Sequence, residues 1–416
     1  MSRREFHFIS GASSKFWAIE MKGDSFDVTY GKIGTSGTAQ TKSFGDAVAA
    51  QKAGDKLVLE KTSKGYVEIG NARNTTVSVA SDPSTGTSGA SAGLNELYFS
   101  TTQNVADIGN LKTFIGLKLA DYKSPKSIKK GNYAYKVSVS YEDEDEEDGD
   151  GGDFIKRLTS FLDSAAATDA QGFVVGNWSV EGPETAQPIV DLFVSKKDRL
   201  PNLAALFFGE IAQEECEISW IENCNMTPIL DAFPKLELLR VRGATNLEFL
   251  KAGHKSLRAL GVESGGLARE VVAQICKADF PNLEYLELWL GTNEYGGTTQ
   301  VNDLTPIMKG TAFPKLKYLG LRNSEITDEI AGVIINSPIV RQIETLDLSL
   351  GTLTDEGAKA LMKLPQDAKL KRLDLHRHFV STAMMKQLKT LPFSLNVSDQ
   401  EEADEDEGGR FVAVSE

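Results

Sequence analysis

The sequence predicts an α/β protein in two parts, a small antiparallel sheet with a helix followed by a solenoid of parallel strands shaped like a horseshoe. Two patterns lead to this prediction. Apolar and polar residues alternate within residues 4 to 69, and a leucine pattern recurs from about Phe154 onward. With 416 residues, the chain also exceeds what one hydrophobic core usually serves. We therefore expect separate domains.

The first part is predicted to contain three short strands, a loop and a helix. The strands follow from apolar side chains at alternate positions. These positions are Phe6 and Phe8; Trp17, Ile19 and Met21; and Phe26, Val28 and Tyr30. Glycines at every third residue from Gly31 to Gly37 indicate a loop, and a helical pattern begins at Ser43.

The second part repeats the spacing L-x-x-L-x-L. The copies begin at Leu203, Leu236, Leu257, Leu283, Leu316, Ile343 and Leu370. Their separations of 33, 21, 26, 33, 27 and 27 residues are close to the roughly 20 to 29 residues of leucine-rich repeats. Helical patterns lie between copies, at 267–277, 328–335, 355–363 and 382–388. Each unit is therefore predicted to be a strand followed by a helix.

Composition changes along the chain predict five segments. Between Arg73 and Gly93 the chain is dominated by Ser, Thr, Gly and Ala, which cannot bury enough apolar surface to order a chain. The predicted segments are a first domain at 1–70, a flexible linker at 71–93, an N-terminal flank of the repeat domain with an acidic loop at 94–153, the repeat domain at 154–398 and an acidic C-terminal tail at 399–416.

The net charge of −14 is concentrated in two short runs. Residues 142–153 hold nine acidic residues and 399–407 hold seven, with no Lys or Arg in either, so the rest of the chain carries +2. Residues 1 to 70 contain ten Lys or Arg and eight Asp or Glu, short of the strongly basic footprint of a dedicated DNA-binding domain. With no apolar run near 20 residues and no signal-peptide core, we predict a cytoplasmic protein outside the membrane.

Residues able to support catalysis or metal binding are sparse. The three cysteines, Cys216, Cys224 and Cys276, lack Cys-x-x-Cys spacing, so we predict neither disulfides nor structural zinc. The best metal candidate is the group Asp374, His376 and His378, for which a solvated polar edge is the favoured alternative. No catalytic set is visible. We predict no metal, no cofactor and no enzyme activity.

The N-terminal part resembles a known domain family. The segments Lys15-Phe16-Trp17, Tyr30-Gly31-Lys32-Ile33-Gly34 and Lys42-Ser43-Phe44 resemble the WGR domain, with Tyr30 and Lys32 in place of the signature Trp and Arg. Domains of this family bind DNA ends and breaks in poly(ADP-ribose) polymerases and also occur as stand-alone bacterial modules. The resemblance implies possible weak nucleic-acid binding, and the candidate contacts are Lys15, Tyr30, Gly31, Lys32 and Lys42.

The repeat part resembles bacterial leucine-rich-repeat proteins of uncharacterised function. The matching segments include 217–220, 262–266, 287–292, 320–324, 373–376 and 410–416. Leucine-rich repeats are mainly binding scaffolds, so the resemblance implies a fold and an unknown protein partner.

Positions between the repeat leucines are predicted to face the concave side of the horseshoe. Exposed Trp and Arg dominate interface hot spots, and the candidate protein contacts are Arg240, Arg242, Trp289 and Arg322. The alternative is that Arg240 and Arg242 form solvated ion pairs with Glu263 and Glu287 on neighbouring strands.

Two functions follow as hypotheses. In the first, a non-catalytic adaptor binds a protein through the concave repeat face, with the WGR-like domain as an accessory binding module. In the second, the WGR-like domain senses nucleic acid, such as a DNA end or break, and the repeats recruit an effector. The small positive charge of residues 1 to 70 favours the first.

Overall fold

The computed structural model describes residues 3–10, 13–33, 38–43, 109, 111–140, 152–179, 184–365, 367–403 and 409–415, together with Ala47, Val58, Lys61, Val67 and Glu68. The chain divides into two compact units, Met1–Ser88 and Gly89–Glu416. The division falls within the predicted linker, which lies outside the described residues. The predicted acidic loop is also outside them from 141 to 151.

The described part of the first unit contains an antiparallel sheet of five strands in the order β4-β3-β2-β1-β5. The strands are β1 Arg4–Ser10, β2 Ser13–Met21, β3 Ser25–Lys32, β4 Thr38–Ser43 and β5 Val67–Glu68. The three predicted strands are confirmed. Strand β4 was not predicted, because its sequence Thr-Ala-Gln-Thr-Lys-Ser lacks alternating large apolar residues.

The core of the first unit lies on one face of this sheet. Strand register places Phe6 opposite Trp17 and Ile19 opposite Val28, and all four side chains are buried together with Phe26. The rings of Phe6 and Trp17 are 5.5 Å apart at their centroids. The predicted helical region contributes Val58, a helical residue that packs against this cluster.

In the described part of the second unit, twelve strands form one sheet in chain order from β6 to β17. Every neighbouring pair is parallel except β6 and β7. The strands are β6 Thr113–Phe114, β7 Leu117–Asp121, β8 Tyr133–Val137, β9 Gly172–Val175, β10 Ala205–Phe208, β11 Leu238–Arg242, β12 Ala259–Glu263, β13 Tyr285–Gly291, β14 Tyr318–Ser324, β15 Thr345–Asp347, β16 Arg372–Asp374 and β17 Ser394–Asn396.

Helices connect most of these parallel strands, as the sequence pattern predicts, but the connection from β11 to β12 contains no helix. They are α1 Phe154–Asp163, α2 Ala165–Asp169, α3 Gln187–Ser195, α4 Thr227–Ala232, α5 Arg269–Lys277, α6 Thr305–Met308, α7 Thr327–Ile334, α8 Asp355–Leu361 and α9 Thr382–Leu388. The four predicted helices correspond to α5, α7, α8 and α9 within two residues at each end. In the described ranges, no helix combines the length and apolar character that a membrane crossing requires.

The main core of the second unit lies between the sheet and the helices. The central leucines of the seven repeat copies occupy one register column across β10 to β16 and are fully buried. They are Leu206, Leu239, Leu260, Leu286, Leu319, Leu346 and Leu373. Side chains alternate along a strand, so the intervening residues face the opposite side of the sheet.

Candidate functional site

The four predicted protein contacts lie on the sheet face opposite the leucine column, but they are not exposed. The exposed fractions of Arg240, Arg242, Trp289 and Arg322 are 2%, 1%, 0% and 2%. Their predicted surface position is therefore wrong. Side chains this deeply buried cannot touch a partner without rearrangement of the sheet face.

Part of the reason for this burial is a second apolar cluster on the same face. Apolar side chains from residues 111–119 pack against this part of the sheet face. The ring centroid of Phe114 lies 6.4 Å from that of Phe207 on β10. Phe207 in turn lies beneath the guanidinium groups of Arg240 and Arg242, at 5.9 and 5.3 Å from the ring centroid. The face predicted to be open is therefore a packed interior layer.

Buried carboxylates neutralise the buried arginines. Arg240 donates to Glu263 and lies 3.3 Å from an oxygen of Glu287, and Arg242 Nε donates to Glu263 at 2.7 Å. Arg322 Nη1 donates to Glu287 Oε1 at 2.9 Å. Arg240 and Arg242 therefore form the ion pairs with Glu263 and Glu287 that were the alternative prediction. These pairs are buried and not solvated.

Aromatic side chains complete the hydrogen bonding of these carboxylates. Trp289 Nε1 donates to Glu287 Oε1 at 2.7 Å, and the hydroxyl of Tyr285 donates to the other oxygen of Glu287. Tyr285 stacks on Tyr318 with centroids 4.0 Å apart, and the Tyr318 hydroxyl donates to Asp347 at 2.7 Å. Every Glu287 oxygen therefore accepts at least one hydrogen bond, as a buried charge requires.

Glu287 is the centre of this buried charged cluster, which comprises Arg240, Arg242, Glu263, Glu287, Arg322 and Asp347. Burial alone would raise the pKa of Glu287, but the charges of Arg240 and Arg322, with hydrogen bonds from Tyr285 and Trp289, lower it to about 2. Burial raises the pKa of Asp347 despite the nearby Arg322. Glu287 thus remains charged at neutral pH and compensates the charge of the buried guanidinium groups.

The low pKa of Glu287 predicts acid sensitivity. Its folded-state pKa is about 2, below the ordinary value of 4.5, so its contribution to stability is complete above about pH 4.5 and lost as the pH falls through about 2. Asp347, whose pKa is raised, acts in the opposite sense. Urea unfolding at several pH values should show a smaller acid-dependent loss in Glu287→Gln than in the wild type. Identical pH dependence in both proteins would contradict this assignment.

The candidate metal group Asp374, His376 and His378 is not arranged as a set of metal ligands. His376 Nδ1 lies 2.7 Å from Asp374, whereas His378 is buried with its nitrogens bonded to the main chain at Val397 and Val380. Among the described residues, no three His, Cys, Asp or Glu side chains are grouped to hold a metal ion. Burial raises the pKa of Cys224 and Cys276 to about 11, which keeps both thiols protonated.

Four of the five candidate nucleic-acid contacts, Lys15, Tyr30, Gly31 and Lys32, lie at one end of the β2–β3 pair in the first unit, whereas Lys42 lies near the other end of β3. Tyr30 on β3 is paired with the buried Trp17 and is 40% exposed. Lys15 and Lys32 are directly opposite each other, two positions farther along the same strands. Gly31 lies between Tyr30 and Lys32, and Lys42 is on β4, paired with Phe26. The side chains of Lys15, Lys32 and Lys42 lie outside the described part of the chain.

Sequence reasoning missed one arrangement in the second unit. Residues 409–415 lie against the ends of several parallel strands, and the side chain of Asn323 forms two hydrogen bonds with the main chain of Val414. These partners are 91 residues apart in sequence, so no local pattern signals the contact. Both partners do lie in segments that carry the resemblance to leucine-rich-repeat proteins, namely 320–324 and 410–416, but the resemblance does not show that the two segments are in contact.

Comparison with known proteins identifies the first unit. Residues 2–73 match the model of the WGR domain. Over 65 residues the chain is 49% identical to Protein YehF, and over 66 residues 41% identical to the uncharacterized protein YfeS, both of Escherichia coli K12. Each alignment covers 16% of this chain, which spans 24% and 27% of the lengths of these curated relatives. The protein is thus a mixed α/β protein with an N-terminal WGR domain.

The whole chain has a relative of known structure. It is similar to the crystal structure of a structural-genomics target protein from Bacteroides fragilis, with 32% sequence identity and a TM-score of 0.61. The match covers 96% of this chain and 97% of the other. The chain belongs to the same family as this Bacteroides fragilis protein.

Proposed function

We propose that the protein is a non-catalytic binding protein whose WGR domain contacts nucleic acid. The observation that carries this proposal is the position of Tyr30, a large aromatic side chain 40% exposed at the end of β3. An exposed aromatic ring is a platform on which a base of any identity stacks. Lys15 and Lys32 are paired two positions farther along the same strands, and we expect their positive charges to serve as contacts for the phosphate backbone.

The expected affinity is modest. Residues 1 to 70 hold only two more basic than acidic residues, and at most Lys15, Lys32 and Lys42 are available as phosphate contacts. Lys32 also lacks the bidentate geometry of the arginine in the family motif. We therefore expect a Kd of roughly 10⁻⁴ to 10⁻⁶ M, the range of non-specific binding at physiological salt.

Replacing Tyr30 tests the stacking role. Tyr30→Ala in the full chain is expected to raise the Kd for labelled DNA by about five-fold or more, since stacking contributes about 1 to 3 kcal/mol per base. Fluorescence anisotropy with nicked, blunt-ended and single-stranded DNA measures this effect. Trp220→Ala is the matched control, because Trp220 is an aromatic residue 59% exposed in the second unit. Equal affinity of wild type and Tyr30→Ala would contradict the proposal.

We also propose that the second unit is a leucine-rich-repeat solenoid. This is supported by the coincidence of the seven L-x-x-L-x-L copies with strands β10 to β16, and by the parallel pairing of each strand with the next in chain order. In such repeats each strand–helix unit buries its apolar side against its neighbours. The unit then serves as a scaffold that presents binding surfaces.

Binding of a protein partner by the second unit, as an adaptor, is the second candidate function. The buried Arg240, Arg242, Trp289 and Arg322 no longer support it, but Trp220 does, because an exposed Trp is a frequent interface hot spot. The two variants above separate the functions. Loss of a co-purifying protein in Trp220→Ala, with DNA binding retained, would favour the adaptor function.

A further inference from the structure

The segment 411–415 packs on the second unit, with a bend at Ala413. Its main chain forms hydrogen bonds with three successive repeats: Phe411 O accepts from Arg377 Nη1 at 3.0 Å, Ala413 N donates to Leu350 O at 2.9 Å, and Val414 N donates to Asn323 Oδ1 at 2.9 Å. The segment therefore runs across the strand ends, from β16 towards β14.

Side chains of this segment alternate between buried and exposed. Val412 and Val414 are buried. Phe411, which precedes Val412, is 50% exposed. The carbonyl of Val414 accepts from Asn323 Nδ2 at 2.5 Å, and the carbonyl of Ser415 accepts from the Ser219 hydroxyl. Two small branched side chains and several hydrogen bonds to the main chain thus hold the segment in place.

The strand ends are shaped to receive this peptide. Asn323, at the end of β14, and Leu350 and Arg377, just after β15 and β16, each lie four residues after the central leucine of their repeat, and each adopts a left-handed backbone conformation, with φ of 50°, 66° and 54°. Non-glycine residues in this conformation are strained and are retained where the surroundings require them. All three residues contact the docked segment. Asn323 does so through its side-chain amide, Leu350 through its main-chain carbonyl and Arg377 through its guanidinium group.

The surface under the segment forms a groove, and Gly265 lies at the end of the groove that contacts Ser415. A Cβ atom on Gly265, just after β12, would lie 2.1 Å from the carbonyl oxygen of Ser415. No side chain is tolerated at that approach distance. The groove is therefore bounded by Arg377 at one end and by Gly265 and Ser219 at the other, with Asn323 as its central polar contact.

We propose that this groove is a peptide-binding site, which the chain's own segment 411–415 fills in cis and which accepts a segment of a partner protein. The recognised segment has small branched apolar residues at two alternate positions followed by Ser, as in Val412-Ala413-Val414-Ser415. Val414 packs into the main core and the entropy cost of ordering the segment opposes this gain, so a displacing segment must fill the same position with a side chain of similar size. This site is independent of the proposed DNA contact.

The test uses full-length protein and a fluorescein-labelled peptide with the sequence of residues 410–416. The variant Val412→Asp/Val414→Asp should release its own segment, since buried carboxylates without partners are unfavourable, while leaving the groove unchanged. It is expected to bind the peptide at least about ten-fold more tightly than the wild type, in which a tethered segment competes at high effective concentration. A scrambled peptide should bind neither protein, and adding Asn323→Ala should remove binding by the variant.

Folding is monitored by circular dichroism in parallel. A folded double variant that binds the peptide no better than the scrambled sequence would overturn the proposal. If the double variant fails to fold, Ala413→Pro takes its place, since it removes a single N–H donor from the segment. That variant is expected to bind the peptide more tightly than the wild type, and unchanged binding would equally overturn the proposal. Tyr30→Ala should leave peptide binding unaffected, which separates this site from the WGR domain.

Discussion

Glu287→Gln is expected to lower the free energy of unfolding by about 3 to 5 kcal/mol. Glu287 is fully buried and accepts hydrogen bonds from Arg240 and Arg322, and removing its charge leaves both guanidinium groups without part of their compensation. Glutamine keeps the shape of the side chain, so the loss reports charge and hydrogen bonding with little change in packing. Urea unfolding at neutral pH, followed by circular dichroism, measures this loss.

Glu294→Gln provides the control. This residue is exposed on the loop after β13, only seven positions away, and its replacement should change stability by no more than about 0.5 kcal/mol. A loss of less than about 1 kcal/mol for Glu287→Gln would contradict the role of the Glu287 carboxylate in compensating the two buried guanidinium groups.

Trp289→Ala is expected to cost about 3 to 5 kcal/mol of stability. The indole is 0% exposed, lies against the guanidinium of Arg322 at 5.4 Å from the ring centroid and donates to Glu287. Truncation would leave a large cavity and remove one hydrogen bond from a buried carboxylate. The sequence pattern placed Trp289 on an open surface as a candidate protein contact, where its truncation would cost little stability.

Trp220→Ala is the matched control for this truncation, since Trp220 is 59% exposed and should change stability by no more than about 0.5 kcal/mol. Thermal unfolding of the two variants distinguishes a packed indole from a surface indole. Equal thermal unfolding midpoints for Trp289→Ala and the wild type would contradict the packed position of Trp289 and would support its role as a surface contact.

The repeated strand–helix architecture was predictable because its signal is local. A leucine such as Leu286 and its neighbour Leu288 alternate with other side chains, and the intervals between copies leave room for one helix each. The WGR domain was recognised from short segments such as Tyr30-Gly31-Lys32. The leucine spacing and the WGR segments each lie within a few tens of residues, so both can be read without knowledge of the packing.

Burial of the second sheet face was not predictable by the same reasoning. Alternation shows that Arg240 and Glu287 share a face, but it does not show that residues 111–119 pack across part of that face. The available signal was charge complementarity, since Arg240 and Arg322 both lie within two strands of Glu287 in the register. Contacts over long sequence separations, such as Asn323 with Val414, leave no such local trace.

The claim that the WGR domain contacts nucleic acid is tested most directly by the salt dependence of binding. Anisotropy titrations of the full chain on labelled nicked duplex should be made between about 50 and 200 mM salt. With at most three lysines at the phosphates, Lys15, Lys32 and Lys42, the plot of log K against log salt should have a slope no steeper than about −2.7. Tyr30→Ala should weaken binding with the slope retained. Absence of binding at the lower salt, or binding that is independent of both salt and Tyr30, would contradict the claim.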